Sequence, residues 1–212
     1  MLRSLLAASV LTILAVPLPA EVVFRYDFEQ GADLAAYEGL QFRDCTAEIV
    51  PAGPDGDGHC LKLTSKKASR YCTVTIRRPV KLLRNLMLSF DHREEIEEGK
   101  RAAYLGLLFF DPADKQWFGS DKFGPEWKTA EVQVARLNSP NGGVLTLGKE
   151  LSHLNLYGRA EGDTEAVMTV WLDNIRLETR EFAGRRSEAS RVSTANPPLF
   201  NWSRTDRPSR LE

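Results

Sequence analysis

Short runs in which apolar residues fill every second position dominate the chain from residue 21 to residue 178. The clearest are EVVFRYDFE (21–29), AEIVP (47–51), CLKLTS (60–65), CTVTIRR (72–78), LMLSFDHR (86–93), AAYLGLLFF (102–110), EVQVARL (131–137), LSHLNLYGR (151–159) and AVMTVWLDNIRLE (166–178). Period two belongs to a strand with one buried face, because successive side chains leave a strand on opposite sides. Between the runs stand PAGPDGDG, EEIEEGKR, DPADK, NSPNGG and EGDTE, whose Gly, Pro, Asp and Asn residues favour chain reversal. Only ADLAAYEGL hints at a helical turn. Short strands at this spacing predict an all-β fold, a two-sheet antiparallel β-sandwich, with a closed barrel as the less favoured alternative.

One strand breaks its own pattern. In VWLDNIRLE, Val170 and Leu172 are even-numbered, whereas Ile175 and Leu177 are odd. A strand keeps one face at period two, so the slip predicts a bulge or an end of pairing at Asp173–Asn174.

Residues 1–20 combine one early cation, Arg3, with an apolar run from Leu5 to Val16 and a small residue, Ala20. This is the pattern of a secretory signal peptide; the apolar run is too short to span a bilayer. A secreted or periplasmic, not membrane-spanning, product is therefore expected. Residues 21–182 read as one domain. Residues 183–212 carry six Arg and three Pro without apolar periodicity and read as a disordered tail, through which a protein partner could be held. Removing Arg3 and the tail's six Arg from 28 cations, and the tail's three acids from 29, leaves 21 against 26, so the domain has a net charge of −5. A mildly acidic domain without Lys/Arg clusters argues against nucleic acid as a partner.

The cysteines, Cys45, Cys60 and Cys72, are odd in number. By parity Cys45 and Cys72 point inward and Cys60 the other way, so Cys45–Cys72 is the favoured pair if a bridge forms; three separate buried thiols is the alternative.

Several pieces, taken in order, resemble a known family: DFEQG (27–31) followed by Tyr37, then GHCLKLTS, LMLSFDHRE, EWKTAEVQV, LNLYGR and TVWLDNIRLE. Together they resemble the jelly-roll carbohydrate-binding modules of the galactose-binding-like superfamily over about residues 22–178. The resemblance implies a jelly roll, and a structural calcium where the first and last strands meet. The matching positions are Glu29 and Asp173, with Asp27 a weaker candidate, and carbonyls from Asp55 to His59 could complete a shell of the oxygen ligands that calcium takes. A bulge-capping Asp173 beside a solvated Glu29 is the plain alternative.

Sugar recognition uses flat aromatic faces against ring C–H groups and planar polar groups for hydroxyls. Parity places Asp91, Arg93, Tyr104, Gln133, Asn155, Tyr157, Arg159 and Trp171 on the non-core sides of their strands. In the resembled modules a concave sheet face is one usual binding surface and edge loops are the other; loop candidates here are Trp117, Phe118 and Phe123. Trp127 reads instead as a structural residue at a strand entry.

Catalytic signatures are absent: no G-x-S-x-G, no H-E-x-x-H and no metal-spaced Cys/His set. His92 alternates onto the core side, where a satisfied buried histidine is the expected outcome, and REEIEEGK (93–100) reads as a solvated connection. The expectation is a non-catalytic exported module that binds a poly- or oligosaccharide. Two alternatives remain open: a structural or adhesion protein of the cell envelope, and a jelly-roll polysaccharide lyase with Tyr157 as base and Arg93 and Arg159 neutralising a uronate.

Overall fold

A computed structural model of the chain describes residues 20–56, 58–66, 71–97, 103–112, 116–122, 124–138, 146–160 and 167–180. Residues 1–19, Phe123 and the Arg-rich segment from 183 onward lie outside that set. In chain order the strands are β1 (Val22–Tyr26), β2 (Leu40–Arg43), β3 (Cys45–Val50), β4 (Cys60–Ser65), β5 (Tyr71–Ile76), β6 (Val80–Lys81) and β7 (Leu86–Ile96). They continue with β8 (Ala103–Phe110), β9 (Gln116–Lys122), β10 (Lys128–Gln133), β11 (Glu150–Leu151), β12 (His153–Ala160) and β13 (Met168–Thr179). Single 3-10 turns at Leu34–Ala36 and Val134–Arg136 are the helical elements among the described residues. No helix there is long and apolar enough to cross a membrane.

The strands form two antiparallel sheets and a small β6–β11 ribbon. The first sheet runs β10-β7-β13-β4-β3, with β1 also paired to β13. The second runs β2-β5-β12-β8-β9. The expected all-β jelly-roll sandwich is therefore the fold. Alternation explains the core: Leu88, Phe90, Val170, Leu172, Ile175 and Leu177 from the first sheet meet Val74, Ile76, Leu107, Phe109, Leu154 and Leu156 from the second. Burying such side chains stabilises the fold by about 1.5–3 kcal/mol apiece.

The frame slip in β13 is a bulge. Pairing with β7 holds from Met168↔Ile96 to Asp173↔Asp91 and resumes at Arg176↔Ser89, and Asn174 takes a left-handed φ of 48°. The extra residue returns Ile175 and Leu177 to the core face. Beside this bulge, β1 pairs with the end of β13 (Tyr26↔Ile175), so the domain's first and last strands are neighbours.

Two sequence expectations need correction, and the open cysteine alternatives have an answer. REEIEEGK is not a solvated connection throughout: β7 continues to Ile96, and Glu94, keeping the inward parity of Phe90 and His92, is buried. Its carboxylate meets His92 Nδ1 and accepts from Gly124 N at 3.2 Å, so His92 is the satisfied buried histidine that parity predicts. EVQVARL is strand only to Gln133 and then turns. No Cys45–Cys72 bridge exists; all three cysteines are free and buried. Cys45 and Cys72 lie in the main core, whereas Cys60 points out of it and donates to Ala52 O at 3.4 Å. Burial pushes the Cys72 thiol up to about 12 and the Cys60 thiol up to about 11, which leaves both in the unreactive protonated form.

Candidate functional site

Sheet membership divides the eight candidate ligand residues. Asp91, Arg93, Gln133 and Trp171 lie on the first sheet; Tyr104, Asn155, Tyr157 and Arg159 lie on the second. Since the two sheets pack against each other, their outward faces point away from one another, and the eight do not share a cleft.

On the first sheet the polar groups are tied to one another. Asp91 accepts from Thr129 Oγ1 at 2.5 Å and Asn174 Nδ2 at 2.9 Å, which ties β10 and the bulge to β7. Gln133 donates to Arg84 O at 2.7 Å. Trp171 is only 7% exposed, because the Arg93 guanidinium lies 4.1 Å from its ring centroid. The same guanidinium is 5.8 Å from Trp127, which thus belongs to this stack, and Arg93 NH2 reaches Glu95 at 3.7 Å. The flat face a sugar would need is already covered.

The second sheet is laid out differently. Outward positions fall into cross-strand rows set by the register: Arg43–Thr73–Tyr157–Gly106–Ser120, flanked by Tyr71–Arg159–Tyr104–Lys122 on one side and Gln41–Thr75–Asn155–Leu108–Phe118 on the other. With strands about 4.8 Å apart and rows about 7 Å apart, the five strands offer a face on the order of 20 Å wide. Trp117, a loop candidate in the sequence, is within β9 and pairs with Phe109; Phe118 is within the same strand.

Tyr157 organises this face. A Cβ built on Gly106 would stand 2.3 Å from Tyr157 Cζ, so the hydroxyl end of the phenol ring lies over the glycine in space that only the missing side chain leaves. Tyr71 packs at 5.9 Å and 59° to that ring, and the Arg159 guanidinium sits 5.8 Å from the Tyr71 centroid. Beside it on the same face is a polar patch in which Thr75 Oγ1 donates to Asn155 Oδ1 at 2.7 Å, with Thr73 buried next to them. Farther along β12, His153 stacks on Phe110 at 4.3 Å and 10°. Burial raises the Tyr157 hydroxyl above the ordinary tyrosine range, so it stays a neutral donor and acceptor. Tyr71 and Arg43 are not legible in the sequence, because the alternating run begins at Cys72 and LQFR is only four residues long.

The rim where β1 meets β13 holds the metal candidates. Asp173 is 4% exposed and its Oδ1 accepts from Asn174 N at 2.7 Å. Burial pushes this carboxyl up to about 7, with the charges of Asp91, Glu29 and Asp27 adding to the shift. Glu29 accepts from His59 N at 2.7 Å, which holds its carboxyl below the usual range, and Asp27 lies 3.4 Å from Arg25. Glycine suits position 58 because its φ of 73° is left-handed, and its bare Cα leaves room for Glu29 Oε1, 2.5 Å from where a Cβ would stand. The three acids are near enough to feel one another, yet no three His, Cys, Asp or Glu side chains converge as a ready-made metal cluster among the described residues.

Comparison with known proteins comes from structure alone. No family model matches the sequence, and no curated protein resembles it. An exo-β-agarase is 18% identical with a TM-score of 0.54, over 74% of this chain and 24% of that one. The family 11 carbohydrate-binding module of a cellulosomal cellulase of Clostridium thermocellum is 15% identical with a TM-score of 0.52, over 80% of this chain and 100% of the module. The same module is known in complex with a β-1,3-1,4-mixed-linked tetrasaccharide. The chain thus spans about a quarter of the agarase and the whole of the module. What it shares with them is the jelly-roll β-sandwich fold.

Proposed function

We propose that the domain is a non-catalytic, exported carbohydrate-binding module that holds a poly- or oligosaccharide on the outward face of the β2-β5-β12-β8-β9 sheet. The observation that carries this reading is Tyr157, lying over Gly106 beside Tyr71 and next to Thr73, Thr75 and Asn155 on the same face. An aromatic face next to hydroxyl and amide groups suits the two sides of a sugar ring. Export rests on the leader-like composition of residues 1–20.

A calcium ion at the β1–β13 rim belongs to the same reading. Its support is chemical: a buried Asp173 carboxyl facing Asp27, Glu29 and Asp91 is costly to ionise alone, and a hard cation would offset that cost through oxygen ligands. Glu29, Asp173 and Asp27 would hold it, and its role would be to fasten first strand to last.

The lyase alternative loses its residue set, because Arg93 stands on the opposite sheet from Tyr157 and Arg159, and burial works against Tyr157 as a base. No observation favours the envelope-scaffold alternative.

The test is retention of the chain by immobilised glycans. Tyr157→Ala should abolish retention with folding intact by circular dichroism, and no sugar should be released. Unchanged retention by Tyr157→Ala would remove this face from the reading.

A further inference from the structure

We propose that the glycan held on this face is anionic, a polymer whose rings carry carboxylate or sulfate groups. The proposal rests on the reading above that the β2-β5-β12-β8-β9 face is the glycan site. Charge is divided between the sheets in a way that a neutral ligand would not need.

Although the domain is acidic overall, β2, β5, β8, β9 and β12 contain a single acid, Asp121. That residue pairs with Leu105, an inward position of the neighbouring strand. In β2, β5, β8 and β12 the outward rows therefore hold no carboxylate. In contrast, β7 alone has Asp91, Glu94 and Glu95, and β13 has Asp173 and Glu178.

Cations occupy the rows instead. Arg159 and Arg43 take outward positions in adjacent rows, Arg159 two residues beyond Tyr157 on β12 and Arg43 on β2 in the row of Tyr157. Arg77 follows Thr75 in outward parity and is exposed; its Nε donates to Gln41 Oε1 at 2.8 Å, a neutral partner that leaves the charge in place. The acid nearest Arg43 is Asp44, at 3.5 Å beyond the end of β2, in an exposed pair that offers little competition to a ligand.

Geometry adds to charge. Arg159 is aligned by Tyr71, which itself packs on Tyr157, so a guanidinium fork stands at the margin of the aromatic platform. A ring lying on Tyr157 would present a C5 carboxylate or an ester sulfate to that fork, and planar bidentate recognition of such groups is what arginine does best. Arg43 lies two strands from Tyr157 in the same row, about 10 Å across the sheet, on the scale of a neighbouring ring of the same polymer.

Matched pairs of ligands test this: polygalacturonate against its methyl ester, and a carrageenan against its desulfated form, titrated into the full chain. The expected result is preference for the charged member of one pair, which tells carboxylate from sulfate. Binding should weaken as ionic strength rises from about 0.01 M to about 0.15 M and the screening length falls from about 30 Å to about 8 Å. Arg159→Gln should weaken binding of the charged polymer by about tenfold to a hundredfold, and Arg43→Gln in the same direction. Tyr157→Ala should abolish binding altogether. Equal binding within both pairs, or binding of neutral polymers only, would overturn the anionic assignment and leave the glycan face standing. Binding that survives Tyr157→Ala but not Arg159→Gln would overturn it too, as anion capture without sugar recognition. No binding to any of the four polymers would overturn both this assignment and the glycan face itself.

Discussion

Replacing Gly106 by alanine should be destabilising in the native chain and stabilising once Tyr157 is truncated. The added methyl would stand 2.3, 2.5 and 2.7 Å from Cζ, Oη and Cε2 of Tyr157, at least 0.7 Å inside ordinary contact of about 3.4 Å. The backbone cannot yield without disturbing β12 and β9, which pair with β8 on both sides. The ring must therefore leave, breaking its contact with Tyr71. Overpacking of this kind costs about 1–3 kcal/mol, and losing the aromatic pair adds about 0.5–1.5 kcal/mol. With Tyr157→Ala in place the obstruction is gone, and Gly106 has no left-handed φ that alanine would resist. Alanine should then gain about 0.5–1 kcal/mol over glycine in mid-strand. A double-mutant cycle by urea denaturation should give a coupling energy of about 2–5 kcal/mol between the two positions. Additive effects, within about 0.5 kcal/mol, would show that the ring does not lie on Gly106, and the proposed platform would go with it.

Three further outcomes follow from the same geometry. With chelator present, Asp173→Asn should raise the melting temperature above pH 7. The raised folded-state pKa means that this group's contribution is full below about pH 4 and is lost as pH climbs to about 7, up to about 4 kcal/mol. Excess calcium should reverse the ranking of wild type and variant, and calcium that leaves both melting points unmoved would remove the cation from the proposal. Arg93→Met should cost about 0.5–2 kcal/mol and shift tryptophan emission as Trp171 loses its cover, with glycan affinity unchanged; altered affinity at unchanged stability would place the ligand on the first sheet instead. Glu94→Ala should destabilise by about 2–4 kcal/mol by orphaning His92 and the Gly124 N–H, whereas a cost below about 0.5 kcal/mol in thermal melts would mean the pair is not buried as described.

Parity along single strands was a good guide wherever a strand had one dry face. It assigned Leu154 and Leu156 to the core and His92 with them, and it located the bulge from a single change of phase at Asp173–Asn174. Parity says which side of a strand a residue takes, not which sheet the strand joins. That second fact depends on pairings distant in sequence, such as β12 with β5 and β13 with β4, so Arg93 and Trp171 were grouped with Tyr157 although a whole core lies between them. In sequence, DKQWFGS, with Trp117 and Phe118, reads as a loop because glycine and aspartate interrupt its apolar pattern, yet the backbone of Gln116–Lys122 completes the second sheet. The glycine inside AAYLGLLFF was the legible hint, since glycine in mid-strand marks a close approach by something else.

The adjacency of β1 and β13 also fixes how the domain responds to tension. Val22 opposes Glu178, and Thr179 N donates to Glu21 O at 2.9 Å, so the first and last described residues of the sandwich lie at one corner. A pull applied between them loads these hydrogen bonds one after another, as in a zipper, rather than all together in shear. Peeling would begin at Glu21 and travel toward Tyr26 and the Asp173 rim. A cation fastened there would act as the stop at the end of the zip, setting the force at which the sandwich comes apart.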